Sequence, residues 1–174
     1  MSNKTSEEHV SSMISSFYNS YPFPGYKLEE YNCPEDLYNK SNMYGKMLSD
    51  QLPGNATIFD LGCGTGRHSC LLAKGGREIV GIDFSEASIS CANALKNKLN
   101  LGNLTFLTQD IMDKELPMKA DCILCIGVLH HIKNKQKAFE DIAKLLKPGG
   151  HIILGVYNTY GRLITNILRF LNLL

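Results

Sequence analysis

From Thr57 onward, short apolar or β-branched runs alternate with stretches of helical periodicity. The helical stretches end near Lys74, span 85–98, end near Leu146 and follow the last apolar run. The runs between them are typical of buried strands: TIFDL, EIVGID, LTFLTQD, DCILCIGV and HIILGVY. Strict alternation of strand and helix indicates βαβ units, whose right-handed crossovers build a parallel sheet covered on both faces. The pattern therefore predicts an α/β, doubly wound, Rossmann-like and mainly parallel sheet.

Residues 1–55 depart from this alternation and are predicted to form a separate N-terminal segment before a domain at 56–174. A polar, helix-compatible beginning leads into the aromatic stretch SFYNSYPFPGY. The aromatic side chains could form a lid that covers a ligand and excludes water, or they could pack against outer helices. Both interpretations concern the same four rings, Tyr18, Tyr21, Phe23 and Tyr26.

Composition and charge narrow the functional classes. A length of 174 residues allows one compact domain, and 44% hydrophobic with 20% charged residues is typical of a globular protein. Eighteen Lys+Arg against 17 Asp+Glu give a net charge of +1, without the basic excess of a dedicated nucleic-acid binder. The N-terminus is not that of a signal peptide, and no apolar run approaches the roughly 20 residues of a membrane span. We expect a cytoplasmic protein without nucleic-acid or membrane-spanning character.

The six cysteines are expected to be buried thiols rather than a disulfide framework. Cys122 and Cys125 form a C-x-x-C pair, but they lie in the apolar run CILCIGV. Residues three apart in a strand face opposite sides, so this pair does not predict a zinc site.

The strongest chemical signal is the segment Asp60-Leu61-Gly62-Cys63-Gly64-Thr65-Gly66, between a predicted strand and a predicted helix. In an open α/β sheet this first βα turn lies at the carboxyl edge, where ligands bind, and its glycines let the backbone approach a nucleotide closely. Asp83 ends the next strand, where an acid can accept hydrogen bonds from ribose hydroxyls. These features predict a ligand that contains adenosine.

Two cofactor classes fit this geometry. A dinucleotide requires G-x-G-x-x-G, but Arg67 occupies the third glycine position here, and Asp60 would repel a pyrophosphate. S-adenosylmethionine has no phosphate and carries two cationic groups, which an acid at the end of the strand attracts. The methyl donor is therefore favoured over NAD, and an NAD-type oxidoreductase remains an alternative.

The chain resembles the class I S-adenosylmethionine-dependent methyltransferases over Thr57 to Asn158. The resemblance rests on five segments in family order: FDLGCGTG, VGIDFS, TQDI, DCILCIGVLHHI and LLKPGGHIILGVYN. The flanks YPFPGY and YNTYGRLIT are similar to those of a bacterial subgroup with small-molecule-type acceptors. The resemblance implies transfer of a methyl group from S-adenosylmethionine to a nucleophile on a small or otherwise non-nucleic-acid acceptor, with no metal. A catalytically silent module that binds S-adenosylmethionine or S-adenosylhomocysteine is the alternative.

The resemblance also implies roles for individual residues. It assigns the methionyl part of the donor to Asp60 and the glycine loop, with Gly127 offering its backbone to the ammonium group. It assigns the ribose to Asp83 and the adenine to the three residues Phe84, Asp110 and Ile111. Because similar enzymes carry an N-terminal lid over the donor, the lid is favoured for the aromatic stretch. The complete set of predicted donor contacts is Tyr18, Tyr21, Asp60, Gly62, Cys63, Gly64, Asp83, Phe84, Asp110, Ile111 and Gly127.

Two histidines follow the fourth predicted strand, at the edge toward which the donor methyl should point. With an ordinary pKa near 6.5, His130 could remove the proton from an oxygen or nitrogen nucleophile, and His131 is a weaker candidate. A packing role is the other interpretation, because methyl transfer depends largely on holding the reacting atoms in line.

The predicted sheet ends with the run HIILGVY, whereas the family fold continues with two further strands. The chain therefore looks like a fragment or an unusually short member of the family. An uncovered, apolar edge strand is a template for association. We expect possible self-association through the edge of the fifth strand.

Overall fold

The computed structural model describes residues 16–112, 116 and 118–156. Its centre is one sheet of five parallel strands in the order β3-β2-β1-β4-β5, which confirms the predicted fold class. The predicted final helix lies outside the described residues. The strands are β1 Thr57–Leu61, β2 Glu78–Asp83, β3 Leu104–Thr108, β4 Ala120–Ile126 and β5 Leu146–Gly155.

Five helices connect or precede the strands: α1 Pro34–Asn39, α2 Met43–Gln51, α3 Arg67–Leu72, α4 Glu86–Lys98 and α5 Lys135–Ala143. Residues 16–20 are also helical, and 3-10 turns occupy Leu28–Glu30 and Leu129–His131. The side chains of Asn42, Ser85 and Asn134 accept backbone hydrogen bonds at the starts of α2, α4 and α5. These caps satisfy amide groups that have no partner within the helix. No helix in the described part of the chain is long and apolar enough to cross a membrane.

Alternate residues of the central strands enter two cores, one on each face of the sheet. Ile58 and Cys122 belong to the core beneath α1 to α4, whereas Phe59, Ile123 and Cys125 belong to the core beneath α5. This is the period-two pattern of a strand buried on both faces. The two cysteines of the C-x-x-C pair therefore lie in different cores, on opposite sides of the sheet.

Residues 31–51 form part of the first core. Tyr31 and Leu37 are each only 2% exposed, and Leu48 of α2 is also buried. Asp36 completes the N-terminal cap of α1, because one of its carboxylate oxygens accepts the backbone amides of Asn32 at 2.7 Å and Cys33 at 3.2 Å. This part of the chain is joined to the sheet domain by apolar burial.

A buried arginine joins α2, α3 and the start of β2. Arg77 is 5% exposed, and its guanidinium donates hydrogen bonds to five backbone carbonyl groups. Burial lowers the pKa of Arg77, since the low-dielectric surroundings disfavour its charge. The five acceptors are the carbonyls of Ser49, Leu52, Pro53, Leu72 and Lys74.

The fifth strand starts earlier than the run HIILGVY indicates. Leu146 already pairs with Ala120, and the next registered pair is Cys122 with His151. The residues between Leu146 and His151 therefore form an irregularity that β4 does not match one for one. Pro148 and two following glycines are typical of a turn, which explains why the sequence pattern missed this first part of β5.

The strand order places a topological switch beside β1. The chain runs from β1 through β2 to β3 on one side, and β4 then pairs with the other side of β1. Ligands of open α/β sheets bind outside the carboxyl ends of the strands at such a switch. The loops that follow β1, β2 and β4 meet at this edge.

Candidate functional site

The loop after β1 is held by the end of β2. The amides of Gly62 and Cys63 donate to the carbonyl of Ile82 at 2.7 and 3.0 Å, and the amide of Gly64 donates to Asp83 at 2.8 Å. The next two amides, of residues 65 and 66, donate to the carbonyls of Phe23 and Cys63. Every backbone N–H from 62 to 66 therefore has a protein acceptor. A loop of this kind has no amide left to cradle a phosphate.

The N-terminal segment lies directly against this loop. Gly64 has a φ of +54°, and a Cβ atom at this position would lie 2.1 Å from the carbonyl oxygen of Phe23. The hydroxyl of Thr65 donates to the carbonyl of Pro24 at 2.7 Å, and the hydroxyl of Tyr26 lies 2.9 Å from the carbonyl of Thr65. Glycine at 64 is therefore required twice, by backbone conformation and by the close approach of the segment.

Two aspartates lie beneath the loop, Asp60 at the end region of β1 and Asp83 at the end of β2. They are 5% and 6% exposed. Asp60 accepts from the hydroxyl of Ser69 at 2.5 Å, and Asp83 accepts from the amides of Gly64 and Ser85 at 2.8 and 2.9 Å. Burial raises the pKa of both carboxyls, and the charge of Asp83 raises the pKa of Asp60 further. The site therefore favours a cationic group that would stabilise the carboxylate forms.

Aromatic rings join the ends of β2 and β4. The ring of Tyr18 packs edge-on against Phe84, with centroids 6.1 Å apart, and against His131 at 6.4 Å. The rings of His130 and His131 are 4.0 Å apart. Burial lowers the pKa of His131, so its imidazole is neutral at neutral pH and can accept a proton. The structure thus brings together four of the predicted positions, namely Tyr18, Phe84, His130 and His131.

The other predicted positions lie after β4, after β3, after β1 and in the N-terminal segment. Gly127 follows β4 with a φ of +76°, and its amide donates a hydrogen bond to the carbonyl of Gly155 at 2.8 Å. Asp110 is exposed after β3, and one of its oxygens accepts the amide of Met112 at 2.9 Å, beside the half-buried Ile111. Cys63 is buried within the loop, and burial raises the pKa of its thiol well above the ordinary value. Tyr21 is 69% exposed, and its ring contacts that of Phe17 at 5.7 Å.

Asn19 and Ser85 also lie at this edge, and neither was predicted from the sequence. The amide oxygen of Asn19 accepts from the hydroxyl of Ser85 at 2.8 Å and faces the amide of Ala87 at 3.4 Å. Ser85 itself caps α4 by accepting the amide of Ser88 at 3.1 Å. The segment is therefore attached to the turn that carries Asp83. A serine just before a predicted helix was a readable cap signal, whereas nothing in the sequence linked it to Asn19, 66 residues away.

Comparison with known proteins identifies the family of this chain. The model of the family described as methyltransferase domain matches residues 52–169, more than half of the chain. A curated relative, the ubiquinone biosynthesis O-methyltransferase of Alkalilimnicola ehrlichii, is 32% identical over 103 residues, which are 58% of this chain and 41% of the relative. An uncharacterized protein of a Synechococcus strain is 30% identical over 164 residues, which are 89% of this chain and 39% of that protein.

Solved structures share the fold. A methyltransferase from Thiobacillus denitrificans in complex with S-adenosyl-L-homocysteine has a TM-score of 0.58 at 24% identity. The match covers 66% of this chain and 48% of that one. The chain thus spans about two fifths of the length of the curated relatives it matches.

In the described ranges, no group of three or more His, Cys, Asp or Glu side chains is arranged to hold a metal ion.

Proposed function

Because the chain belongs to the methyltransferase domain family, we propose that it binds S-adenosylmethionine at the carboxyl edge of the sheet and transfers the methyl group to a small-molecule nucleophile. The S-adenosylhomocysteine bound to the structural neighbour from Thiobacillus denitrificans supports this choice of donor. The name of the relative from Alkalilimnicola ehrlichii supports an acceptor that is a small molecule.

One observation carries the choice of donor over a dinucleotide. All amides from 62 to 66 are already hydrogen-bonded, and the buried carboxyls of Asp60 and Asp83 lie below them. A pyrophosphate needs free amide donors and is repelled by carboxylates. A cationic sulfonium or ammonium needs no amide donors and is attracted by the carboxylates. These residues therefore fit S-adenosylmethionine and not NAD.

We assign the donor contacts as the sequence resemblance predicts. Each carboxylate oxygen of Asp83 accepts one backbone amide and can accept a second hydrogen, which leaves capacity for two ribose hydroxyls. Phe84 offers a half-buried ring to adenine, with Asp110 and Ile111 after β3 completing that side. The carbonyl of Gly127 is the group assigned to the methionyl ammonium. The methionyl part is assigned to Asp60, Gly62, Cys63 and Gly64, with a hydroxyl of Tyr18 or Tyr21 at its carboxylate.

In the transfer step, the main task of the protein is to hold the acceptor nucleophile in the right position relative to the donor methyl group. Bound S-adenosylmethionine supplies a methyl group on a sulfonium, which is a good leaving group. The acceptor nucleophile must lie in line with that bond, so the edge near β4 must hold it there. We assign the removal of a proton from an oxygen or nitrogen nucleophile to His130, with the imidazole of His131 as the weaker candidate. Residues 16–26 act as the lid, since their contacts to Gly64, Thr65 and Ser85 cover this edge.

Thermal unfolding with and without ligand tests the donor assignment. S-adenosylhomocysteine is expected to raise the melting temperature, because a ligand that binds only the folded state stabilises it. NAD and NADP at the same concentration are expected to have no effect. Equal stabilisation by NAD would contradict the assignment, as would the absence of any shift with S-adenosylhomocysteine.

A silent donor-binding module is the second candidate for the function of this chain. It would bind S-adenosylhomocysteine equally well but would never consume the donor. Turnover of S-adenosylmethionine on a panel of phenols and amines separates the two candidates. Light scattering on the same samples tests whether the chain self-associates through the free side of β5, which pairs only with β4 among the described residues.

A further inference from the structure

Three aromatic side chains at the lid are exposed to solvent. Phe17, Tyr21 and Phe23 are 58%, 69% and 67% exposed. Large aromatic side chains normally bury most of their surface. Several exposed rings within a short stretch of chain therefore indicate a binding surface. We call these three residues the aromatic platform.

The aromatic platform is continuous with the candidate site. The ring of Phe17 contacts that of Tyr18 at 5.3 Å, and Tyr18 in turn contacts Phe84 and His131. On the other side, the carbonyl of Phe23 accepts the amide of Thr65 in the glycine loop. A single ring therefore separates the platform from the edge at which the methyl group is transferred.

The segment that carries the platform has no charge. Between Val10 and Tyr26 the sequence contains no Asp, Glu, Lys or Arg. The polar side chain of Asn19 is already used at Ser85, and the hydroxyl of Ser20 donates to the carbonyl of Ser16 at 3.0 Å. The segment itself therefore offers a charged molecule no ionic partner. An uncharged aromatic or otherwise flat apolar molecule needs none and gains contact with the rings.

We propose that the aromatic platform is the docking surface for the acceptor, and that the acceptor presents an uncharged aromatic or flat apolar face to it. The proposal rests on the methyltransferase function proposed above and adds the chemical class of the second substrate. The platform holds the body of the acceptor, while its nucleophile reaches past Tyr18 toward His131.

The test uses 2-naphthol as a flat, uncharged probe and 6-hydroxynaphthalene-2-sulfonate as its charged counterpart. Binding of both is measured by calorimetry on protein saturated with S-adenosylhomocysteine. The wild-type chain is expected to bind 2-naphthol in preference to the sulfonate. Phe17→Ser and Phe23→Ser should each weaken 2-naphthol binding by about three- to tenfold, the range expected for one aromatic contact. Both side chains are exposed, so neither change should lower the melting temperature.

Two control variants locate the effect. Met43→Ser removes an even more exposed apolar side chain, 87% exposed, from α2, which is not part of the site, and should leave 2-naphthol binding unchanged. Met47→Ser removes a second exposed apolar side chain of the same helix, 44% exposed, and should also leave 2-naphthol binding unchanged.

The outcomes distinguish this inference from the proposed function. Failure to bind S-adenosylhomocysteine, with 2-naphthol binding intact, would contradict the donor assignment alone. Normal S-adenosylhomocysteine binding with no 2-naphthol binding, or with equal binding of the sulfonate, would overturn the platform proposal. Unchanged 2-naphthol affinity in both serine variants would overturn it as well. A change from dimer to monomer in Phe17→Ser would show that a second copy of the chain occupies the surface.

Discussion

The α1–α2 region and the carboxyl edge of the sheet use aspartate in opposite ways. Asp36 at the start of α1 is only half-buried and accepts two backbone amides, which lower its pKa. Asp60 and Asp83 at the sheet edge are buried, and burial raises their pKa. The first arrangement stabilises the folded chain, whereas the second leaves carboxyls in surroundings that disfavour their charge. The difference indicates that α1 and α2 serve stability and that the edge is organised for a ligand.

The two regions also differ in how the chain is held. Residues 31–51 are held by buried apolar side chains such as Leu37 and Leu48. Residues 16–26 are held mainly by hydrogen bonds with the loops of the sheet edge and carry exposed rings, and only Tyr26 at the end of this range packs against the first core. Hydrogen bonds to water can replace those contacts at small net cost, whereas buried apolar area cannot be replaced. A lid that opens is therefore compatible with residues 16–26 and not with residues 31–51.

The largest effect is expected in the α1–α2 region. Leu37→Ala should lower the free energy of unfolding by about 2–5 kcal/mol, because it removes a fully buried side chain and leaves a cavity. Chemical denaturation gives this value directly. Affinity for S-adenosylhomocysteine under conditions in which the variant remains folded should be unchanged. A large loss of affinity would show that α1 takes part in the site.

A smaller effect, on ligand affinity and not on stability, is expected at the carboxyl edge of the sheet. Asp83→Ala should weaken S-adenosylhomocysteine binding at least about tenfold, or roughly 1.4 kcal/mol, because charge-assisted hydrogen bonds to the ribose are lost. Calorimetry measures the affinity, and circular dichroism verifies that the variant is folded. Lys135→Ala, a change at the start of α5, serves as the control and should bind normally. Normal affinity in Asp83→Ala would mean that other groups hold the ribose.

The smallest effect is expected in the pH dependence of the free energy of unfolding, which should differ between Asp60→Asn and Asp36→Asn. Since the folded-state pKa of Asp60 is raised, its contribution to stability falls as the pH rises from the unfolded pKa through the folded one. Asp60→Asn should therefore gain stability relative to wild type at about pH 7 and lose that advantage by about pH 3. Denaturation curves across this range measure the difference.

Asp36→Asn should show the opposite sign. The folded-state pKa of Asp36 is lowered, so its contribution is present above the unfolded pKa and is lost as the pH falls through the folded one. The variant should be less stable than wild type at neutral pH and equal to it in acid. The same sign in both variants would contradict the contrast between the two regions.

The sequence was a good guide to the fold where local pattern and burial agree. β1 and β2 have the bounds of the runs TIFDL and EIVGID, because both strands are central and flanked by turn residues. The early start of β5 was missed, since Pro148 and the glycines after it pair with β4 only through an irregular register. Local propensity cannot report such a long-range pairing.

The part of the site that follows from the topology of the sheet could be predicted from the sequence. The carboxyl ends of neighbouring parallel strands lie at one edge, so Asp60, Asp83 and Gly127 were expected near each other. The contacts of Asn19 with Ser85 and of Tyr26 with Thr65 were not predictable, because they join residues 66 and 39 positions apart. They depend on how the N-terminal segment packs, which no periodicity in the sequence encodes. The roles of Asp60, Asp83 and Gly127 in donor binding stay predictions.

The guanidinium of Arg77 has a practical consequence for anyone who wishes to shorten this chain. Three of its five carbonyl acceptors belong to Ser49, Leu52 and Pro53, before the first strand begins. A version starting at residue 55 would retain only the carbonyls of Leu72 and Lys74 and would leave most of a buried cation without partners. Lysine could not replace the arginine, since a single ammonium cannot reach carbonyls arranged around a planar fork. We therefore expect that a shortened chain has to include Ser49 to keep Arg77 and the sheet intact, whether or not it includes the lid.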